Sequence, residues 1–452
     1  MANLFKTTRG LDIAISGAAE EVLHSFLVSD VVAIVPDHYH GITPKILVKE
    51  GDVVKAGTPV FYNKAIETMK FVSPVSGKVL AVNRGERRKV LSITIERDKE
   101  IAYETFKTGS LETMKSEDVK TALLSAGLWP YIKQRPYDVI ANPEIAPKAI
   151  FISSFDTAPL APSYDFVISN QMNDFQKGID ALAKLSNAKV QLGVKAGNSL
   201  FSTVKNAEIT SYQGPHPVGN VGIQINKINP INKGEVVWTL NAQDVLFIGR
   251  FFNKGIVDLK RKIAITGPEV SSPSYYETIT GCEIEKILTG VSVSNEKLRY
   301  ISGNVLTGNK VTVKSYFDPY STQLSIIKEG DDADELFGWA MPRLNKFSVS
   351  GTYFTGFAKL FGIKKFDFDA RVLGGKRAII MSGEYDNVLP MDILPEFLIK
   401  AMIVGNIDKM EALGAYEIAP EDVALCEFVC TSKLPLQQIV RDALDLMRKE
   451  LE

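Results

Sequence analysis

Short apolar runs separated by turn residues characterise residues 41–96. Gly51-Asp52 and Ala56-Gly57 lie between such runs, and Ser73-Pro74 opens the turn before the apolar segment 78–82. Apolar runs of this length, bounded by glycine, proline and aspartate, are typical of β-strands joined by tight turns. The pattern therefore predicts a string of short strands in this part of the chain.

Strand and helix patterns alternate from about residue 148. Short apolar runs predict strands over residues 148–153, 189–194, 208–212 and 236–240. Apolar residues three or four positions apart predict a helix capped by Asn173 or Asp174, through Phe175, Ile179, Leu182 and Leu185. Two further helices are predicted over residues 198–206 and 242–253. Alternation of this kind argues for a parallel sheet covered by helices.

The pattern changes twice more towards the carboxyl end. Residues 262–312 contain short β-rich runs around glycines, which predict a small sheet domain with at least one helix. Apolar periodicity then predicts helices over residues 392–404, 407–413, 420–430 and 435–451. The chain is therefore predicted to be an α/β multidomain protein, with domains over residues 1–100, 101–260, 261–335 and 336–452.

Composition narrows the class of protein. The 452 residues include 52 Lys and Arg against 53 Asp and Glu, and this balance gives no bulk attraction to nucleic acid. Three cysteines are too few for a disulfide scaffold. No apolar stretch approaches the ~18 residues of a membrane span, because Lys400 interrupts the longest candidate, residues 397–405. We therefore expect a soluble, cytoplasmic, multidomain chain without a nucleic-acid partner.

Motifs for common cofactors and catalytic groups are missing. None of the 33 glycines lies two residues from another, so the Gly-x-Gly of a dinucleotide-binding turn does not occur. Cys426-x3-Cys430 has the spacing of neither a zinc ribbon nor an iron–sulfur cluster, and buried apolar cysteines are the favoured interpretation. Catalytic signatures such as His-Glu-x-x-His and Gly-x-Ser-x-Gly are also absent. No catalytic residue and no metal site are predicted.

Two segments of the β-rich region resemble the biotinyl/lipoyl carrier fold. They are the Val-x-x-Gly-Asp-x-Val-x-x-Gly pattern that begins at Val48 and the Ser-Pro-Val-x-Gly-x-Val pattern that begins at Ser73. In that family the modified lysine lies at a hairpin tip, about eleven residues before the glycine of the second pattern. Counting back from Gly77 gives Ile66, and Lys70 falls inside the returning strand. Covalent modification is therefore not expected.

Stretches along the whole chain resemble one family, the A subunit of the bacterial sodium-translocating NADH:quinone reductase. They are residues 9–17 (RGLDIAISG), 83–88 (NRGERR), 214–219 (GPHPVG), 299–308 (RYISGNVLTG), 388–395 (VLPMDILP) and 425–430 (LCEFVC). Each stretch alone is weak evidence, but their order is specific. Thr431-Ser432 departs from the Pro-Gly that the family often has there, and residues 65–70 are unlike its usual polar tip.

The resemblance implies a peripheral subunit on the cytoplasmic side of the bacterial inner membrane. It would belong to a six-subunit pump that oxidises NADH, reduces ubiquinone or menaquinone and expels Na⁺. Flavins and iron–sulfur centres are expected in partner subunits, and none in this chain. Its partners would be the other subunits of the complex, chiefly the membrane subunits. The implied fold has a carrier-like β domain, a Rossmann-like α/β domain, a soluble-ligand-binding β-grasp domain and a C-terminal helical region.

Three clusters are candidates for binding. Asp37, His38 and His40 follow an apolar run and are predicted to lie near a quinone, whose carbonyls need hydrogen-bond donors. His38 and His40 on an extended segment would also suit a metal, but no third ligand can be placed. Aromatic residues mix with lysine at Phe354, Phe357, Phe361, Lys364 and Lys365. This mixture predicts either a docking surface or a core corner whose lysines extend to solvent. The basic residues 84–89 suit a solvated hairpin, an acidic partner or anionic lipid.

Two other classes of function remain open from the residues. One is a biotin or lipoyl carrier enzyme, based on the carrier-like segments. The other is a soluble flavin or NAD dehydrogenase with an unfamiliar phosphate loop, for which residues 193–198 are the candidate. A covalent adduct would distinguish the first, and a flavin absorption spectrum the second.

Overall fold

A computed structural model describes residues 3–294, 297–331, 347–349, 362 and 365–451. The strands are β1 Asn3–Lys6, β2 Leu23–His24, β3 Val31–Ile34, β4 Pro44–Ile46, β5 Val53–Val54, β6 Pro59–Asn63, β7 Ile66–Val72, β8 Gly77–Arg84, β9 Val90–Arg97, β10 Lys133–Arg135, β11 Val139–Ile140, β12 Ala149–Ser153, β13 Lys189–Lys195, β14 Glu208–Gln213, β15 Val237–Asn241, β16 Lys260–Thr266, β17 Ser274–Ile279, β18 Leu298–Ser302, β19 Asn309–Val311 and β20 Gln323–Lys328. The helices are α1 Ser116–Ser125, α2 Tyr164–Ile168, α3 Met172–Ser186, α4 Val221–Ile228, α5 Ala242–Lys254, α6 Ile284–Ile287, α7 Glu384–Val388, α8 Pro395–Ile403, α9 Ile407–Ala412, α10 Ala424–Val429 and α11 Leu436–Leu451.

The first part of the chain forms two small antiparallel sheets. Their strand orders are β3-β9-β8-β5 and β4-β6-β7. The short strands predicted over residues 41–96 are therefore confirmed. Phe61 and Phe71 stack on each other in the core of this region, with ring centroids 4.4 Å apart. Burial of such aromatic side chains stabilises the domain because it removes a large apolar area from water.

A seven-stranded sheet forms the centre of the chain, in the order β1-β14-β13-β12-β15-β10-β11. The strands from β1 to β15 in this order are parallel, as the alternating pattern predicted, whereas β10 and β11 add an antiparallel edge. The first strand, β1, pairs with β14, so the amino terminus joins this sheet rather than the two small ones.

Helices α3 and α5 lie together in close contact. A Cβ atom built on Gly249 would lie 1.7 Å from the carbonyl oxygen of Asp174, and one on Gly178 would lie 2.3 Å from that of Val245. Only glycine permits this approach. The apolar residues that predicted α3 are buried, namely Phe175, Ile179, Leu182 and Leu185.

The next part of the chain forms a six-stranded sheet in the order β19-β18-β20-β16-β17-β2. The short helix α6 lies between β17 and β18 in the chain. The small sheet domain with at least one helix is thus confirmed. Strand β2 at its edge comes from the amino-terminal part of the chain and pairs with β17. The first 24 residues therefore contribute to both larger sheets.

The carboxyl-terminal helices pack as a layer on the central sheet. Their apolar cluster includes Leu398, Cys426 and Leu444 together with Phe151 of β12 and Ile223 of α4. The helices predicted here are confirmed, except that residues 420–430 divide into a 3-10 turn, Pro420–Val423, and helix α10. This layer therefore shares a core with the sheet.

Two local predictions are wrong. The helix predicted over residues 198–206 is only the 3-10 turn Leu200–Thr203, because Asn198 and Ser202 bond to nearby backbone groups instead. Neither Asn173 nor Asp174 caps α3. The cap position is Gln171, since a 3-10 turn, Ser169–Gln171, runs directly into the helix.

Candidate functional site

A cavity of about 450 Å³ lies at the carboxyl ends of β12 and β15. Ser153 ends β12, Asn241 ends β15, and both line the cavity. The chain runs from β12 outward to β13 and β14 on one side, and β15 lies on the other side of β12. At such a point the loops that follow neighbouring strands diverge, and this leaves a crevice suited to a ligand. The volume is within the range of about 300–1,000 Å³ that is usual for small-molecule sites.

Every major part of the chain contributes to the wall of the cavity. His38 comes from the amino-terminal sheets, Lys133 from the antiparallel strand β10, Tyr320 from the second large sheet domain and Glu421 from the carboxyl-terminal layer. Residues this far apart in sequence meet only because the layers pack on one another. The cavity is therefore a property of the whole described fold.

The loop before α4 holds a buried histidine at the cavity. The His216 backbone N–H donates to Asp12 Oδ1 at 2.9 Å, and its ring Nδ1 lies 3.1 Å from Thr157 Oγ1. Burial lowers the pKa of His216 to about 4. This imidazole is therefore neutral at physiological pH, and its hydrogen bonds fix the loop.

Carboxylates outnumber cations along the cavity wall. The acidic side chains are Asp138, Asp156, Asp244, Asp318 and Glu421, and the basic ones are Lys133 and Arg135. Arg261 balances the charge of Asp244, since its Nη2 lies 2.8 Å from Asp244 Oδ1. An anionic phosphate entering this cavity would meet net repulsion.

Burial raises the pKa of several of these carboxyl groups. The pKa of Asp244 rises to about 6, with Arg261 opposing the shift, and that of Glu421 rises to about 7, with Arg135 opposing it. Burial also raises the pKa of Asp156, although the Ala158 and Thr157 backbone N–H groups lower it. The cavity can therefore hold protons on its carboxyl groups near neutral pH.

Lys133 is the most available cation at the cavity. Its ammonium lies 4.4 Å from the centroid of the Tyr320 ring, and no carboxylate among the described residues lies within ion-pair distance of it. Arg135, in contrast, is committed to Glu421 and Asp422 at 2.6 and 2.5 Å. Lys133 can therefore donate hydrogen bonds to a ligand.

The structure separates the three residues predicted to lie near a quinone. Only His38 lines the cavity; Asp37 Oδ2 pairs with Lys89 Nζ at 2.7 Å, and His40 Nε2 lies 2.9 Å from Asp445 of α11. The two imidazoles do not lie on one side of an extended segment, because Pro36 begins a 3-10 turn that ends at His38. Burial lowers the pKa of His38, while Asp318 and Asp37 oppose the shift.

The predicted docking surface falls mostly outside the described residues. Phe354, Phe357, Phe361 and Lys364 all lie outside them. Lys365 is described and exposed, next to the buried Phe366, whose backbone N–H donates to the Ala14 carbonyl oxygen. The docking surface stays a prediction.

All three cysteines are unpaired and buried, which confirms the burial predicted for Cys426 and Cys430. Cys282, Cys426 and Cys430 are free thiols, and the Tyr385 hydroxyl lies 2.9 Å from Cys430 Sγ. Within the described ranges, no three side chains of the metal-ligating types form a group that could hold an ion. The same ranges hold no helix with the length and apolar composition of a bilayer span.

The tip of the carrier-like hairpin does not lie where counting back from Gly77 places it. Strand β6 ends at Asn63 and β7 begins at Ile66, so Lys64 and Ala65 form the tip. Two register irregularities between β6 and β7 displace the tip from the position obtained by counting. Lys70 lies opposite Tyr62 within the hairpin, as predicted. An exposed lysine therefore does stand at the tip, one that counting from Gly77 missed.

Sequence analysis missed Lys133, Asp156 and Glu421 as cavity residues. One available signal was position, since Asp156 follows the predicted strand 148–153 and active residues collect after the carboxyl ends of parallel strands. Lys133 and Glu421 gave no such signal, because an antiparallel strand and a distant helix layer bring them there.

Three family models cover most of the chain. They are described as the NqrA N-terminal barrel-sandwich hybrid domain, matching residues 5–98, the NqrA second alpha/beta domain, matching residues 114–257, and the NQRA C-terminal domain (SLBB), matching residues 262–313. The chain belongs to the NqrA family.

Full-length relatives agree with this assignment. A protein of Haemophilus influenzae, named as the A subunit of the Na(+)-translocating NADH-quinone reductase, is 38% identical over 447 residues, 98% of this chain and 99% of the relative. Proteins of the same name from Neisseria meningitidis and Vibrio vulnificus are each 37% identical, over 99% and 98% of this chain and 100% and 99% of the relative. The chain is thus a mixed α/β, multidomain member of the NqrA family along nearly its whole length.

Proposed function

We propose that this chain is the peripheral NqrA component of a Na⁺-translocating NADH–quinone reductase complex. Support comes from relatives that are named as this component and match almost the entire chain, including the carboxyl-terminal layer. Its partners would be the other subunits of the complex, chiefly the membrane subunits, and its place the cytoplasmic side of the membrane. Catalysis of electron transfer belongs, in this proposal, to the assembled complex.

We infer that the chain binds no flavin or iron–sulfur cluster of its own. A flavin or dinucleotide phosphate is usually held by a glycine-rich turn at a helix amino terminus, and the Gly-x-Gly of that turn is missing from the sequence. The surplus of carboxylates in the cavity at the ends of β12 and β15 also opposes binding of a phosphate group. Three cysteines are fewer than the four ligands of a common cluster.

The finer fold assignments rest on topology. The parallel strands β14-β13-β12-β15 follow the order 3-2-1-4 of a Rossmann half-sheet, which supports a Rossmann-like domain. The paired small sheets and the β6–β7 hairpin support a biotinyl/lipoyl-carrier-like domain. A β-grasp assignment is proposed for the second large sheet and a helical one for the carboxyl-terminal region.

The cavity supports a contribution to quinone binding. A quinone ring is uncharged, so the carboxylates do not repel it as they would a phosphate. Tyr131, Tyr164 and Tyr320 line the cavity, and His38 and Lys133 supply hydrogen-bond donors for carbonyl oxygens. We therefore propose that the head group of ubiquinone or menaquinone enters here, with His38 and Lys133 as its partners.

Substitution of the two donors within the assembled complex tests this proposal. We expect Lys133→Met to raise the KM for a short-chain ubiquinone by at least about tenfold, because a hydrogen bond to a charged group contributes about 1.5–3 kcal/mol. His38→Ala should raise it by about two- to tenfold, because a hydrogen bond from a neutral imidazole contributes about 0.5–1.5 kcal/mol. NADH oxidation with an artificial soluble acceptor should stay unchanged. His40→Ala is the matched control, since His40 contacts Asp445 outside the cavity lining. Unchanged quinone kinetics in both donor variants would exclude quinone from this cavity.

A further inference from the structure

The tip of the β8–β9 hairpin concentrates exposed positive charge. Arg84, Arg87, Arg88 and Lys89 are exposed there, and Glu86 is the one acidic residue between β8 and β9. Lys89 pairs with Asp37, and Arg84 Nη1 donates to the Arg88 carbonyl oxygen at 3.1 Å. Among the described residues, no carboxylate lies within ion-pair distance of the three guanidinium groups. Their charge is therefore available to a partner.

The backbone of this tip adopts a conformation that arginine disfavours. Arg87 has φ of 52° and Arg88 has φ of 60°, both in the left-handed region. Such a conformation costs an L-residue roughly 1–2 kcal/mol, and glycine or asparagine usually occupies it. Neither arginine is buried, so no core packing offsets the cost. The Lys89 backbone N–H donates to the Glu86 carbonyl oxygen, so the two arginines are the central residues of a tight hairpin turn, which requires positive φ at both, and their side chains are exposed.

Exposed aliphatic side chains accompany the arginines. Leu91 is 45% exposed and lies against the turn, since a Cβ on Gly85 would be 3.2 Å from its methyl groups. Leu80 on β8 is 42% exposed. The hairpin thus combines cations with aliphatic groups on an outward surface.

This combination matches the chemistry of a lipid interface. Guanidinium groups pair with anionic headgroups, and nearby leucine side chains enter the boundary between headgroups and acyl chains. An acidic protein surface would complement the charge but would not account for the aliphatic residues as directly. We propose that the β8–β9 tip binds anionic lipid headgroups at a membrane surface. The proposal depends on neither the cavity nor its ligand.

Vesicle binding by the full-length chain tests the proposal. The probe is sedimentation with vesicles of phosphatidylcholine alone or mixed equally with phosphatidylglycerol, at low and high salt. We expect the wild-type chain to bind the anionic vesicles preferentially and to lose this binding at high salt. Arg87→Gln combined with Arg88→Gln should weaken it on the order of thirtyfold, because each arginine near an anionic surface contributes about 1 kcal/mol.

A matched pair of lysines controls for net charge. Lys195→Gln with Lys205→Gln removes the same charge from exposed positions of the central domain and should change binding by less than about twofold. Equal binding to both kinds of vesicle, or equal loss in the two double variants, would overturn the proposal. If the arginine variant instead fails to join the other subunits while vesicle binding is absent throughout, the tip contacts an acidic protein and the lipid assignment is wrong.

Discussion

Arg135 binds two carboxylates at the edge of the cavity. Its Nη1 lies 2.5 Å from Asp422 Oδ2, and its Nη2 lies 2.6 Å from Glu421 Oε1. Asp422 is fully buried and therefore needs the guanidinium as its counter-charge, whereas the Glu421 side chain is 43% exposed towards the cavity. One cation thus serves two acids, and Glu421 is the acid that can accept a proton without leaving a buried charge unpaired.

The variant Glu421→Gln should make the stability of the chain less dependent on pH. Burial raises the pKa of Glu421 to about 7 in the folded chain, with Arg135 opposing the shift. The folded state therefore holds this proton more tightly than the unfolded state, so wild-type stability falls as pH rises from about 4.5 through 7. The neutral glutamine cannot titrate. We expect similar melting temperatures for the two proteins at pH 5 and a higher one for the variant at pH 8.

Thermal unfolding at several pH values measures this difference. The exposed Glu144→Gln is the control and should follow the wild type at each pH. Parallel curves for wild type and Glu421→Gln would show that Glu421 is ionised throughout this range.

Helix α11 is amphipathic along its whole length. Its buried residues recur three or four positions apart and form one face, namely Leu436, Val440, Ala443, Leu444 and Met447. Ile439 is half-buried and packs against the same apolar cluster. The other face carries charged residues such as Arg441 and Asp445 that reach neighbouring parts of the fold. Amphipathicity of this kind holds the carboxyl-terminal layer in place.

Truncation of one buried leucine should loosen this layer. Leu444 is 0% exposed, so Leu444→Ala should cost about 2–5 kcal/mol, from lost apolar burial and the cavity that remains. Leu446 on the same helix is 37% exposed, and Leu446→Ala should cost less than about 1 kcal/mol. The midpoint of urea unfolding, monitored by fluorescence, checks the pair. Equal midpoints for the two variants would mean that α11 does not pack on the sheet as described.

On the scale of the whole molecule, the packed sheets and the carboxyl-terminal layer surround a cavity whose carboxylates oppose a phosphate-bearing cofactor. The parallel sheet has a crevice where the loops after β12 and β15 diverge, but carboxylates line this crevice. The carrier-like hairpin offers an exposed tip with Lys64. Both positions are where a prosthetic group would be sought in proteins of similar architecture.

The purified full-length chain should therefore carry no prosthetic group. We expect no flavin absorption in the visible range, because a phosphate-bearing cofactor lacks a cradle, and an intact mass equal to that of the 452 residues. Lys64→Arg provides the control for the mass measurement, since arginine cannot form the carrier amide. An adduct present on the wild type and absent from this variant would establish a carrier, and a bound chromophore would establish a flavin protein.

The sequence by itself determined the local elements, the missing cofactor motifs and the family resemblance. The strand at residues 148–153, the apolar face of α3 and the burial of Cys426 and Cys430 depend on neighbouring residues and on side-chain chemistry, so their pattern is visible along the chain. Only the tertiary structure decided the site. His38, Lys133 and Glu421 meet because separate layers pack together, and His38 and His40 part because Pro36 begins a turn. Contacts between distant segments depend on how whole elements pack together. The periodicity along one segment does not show which other segment it packs against.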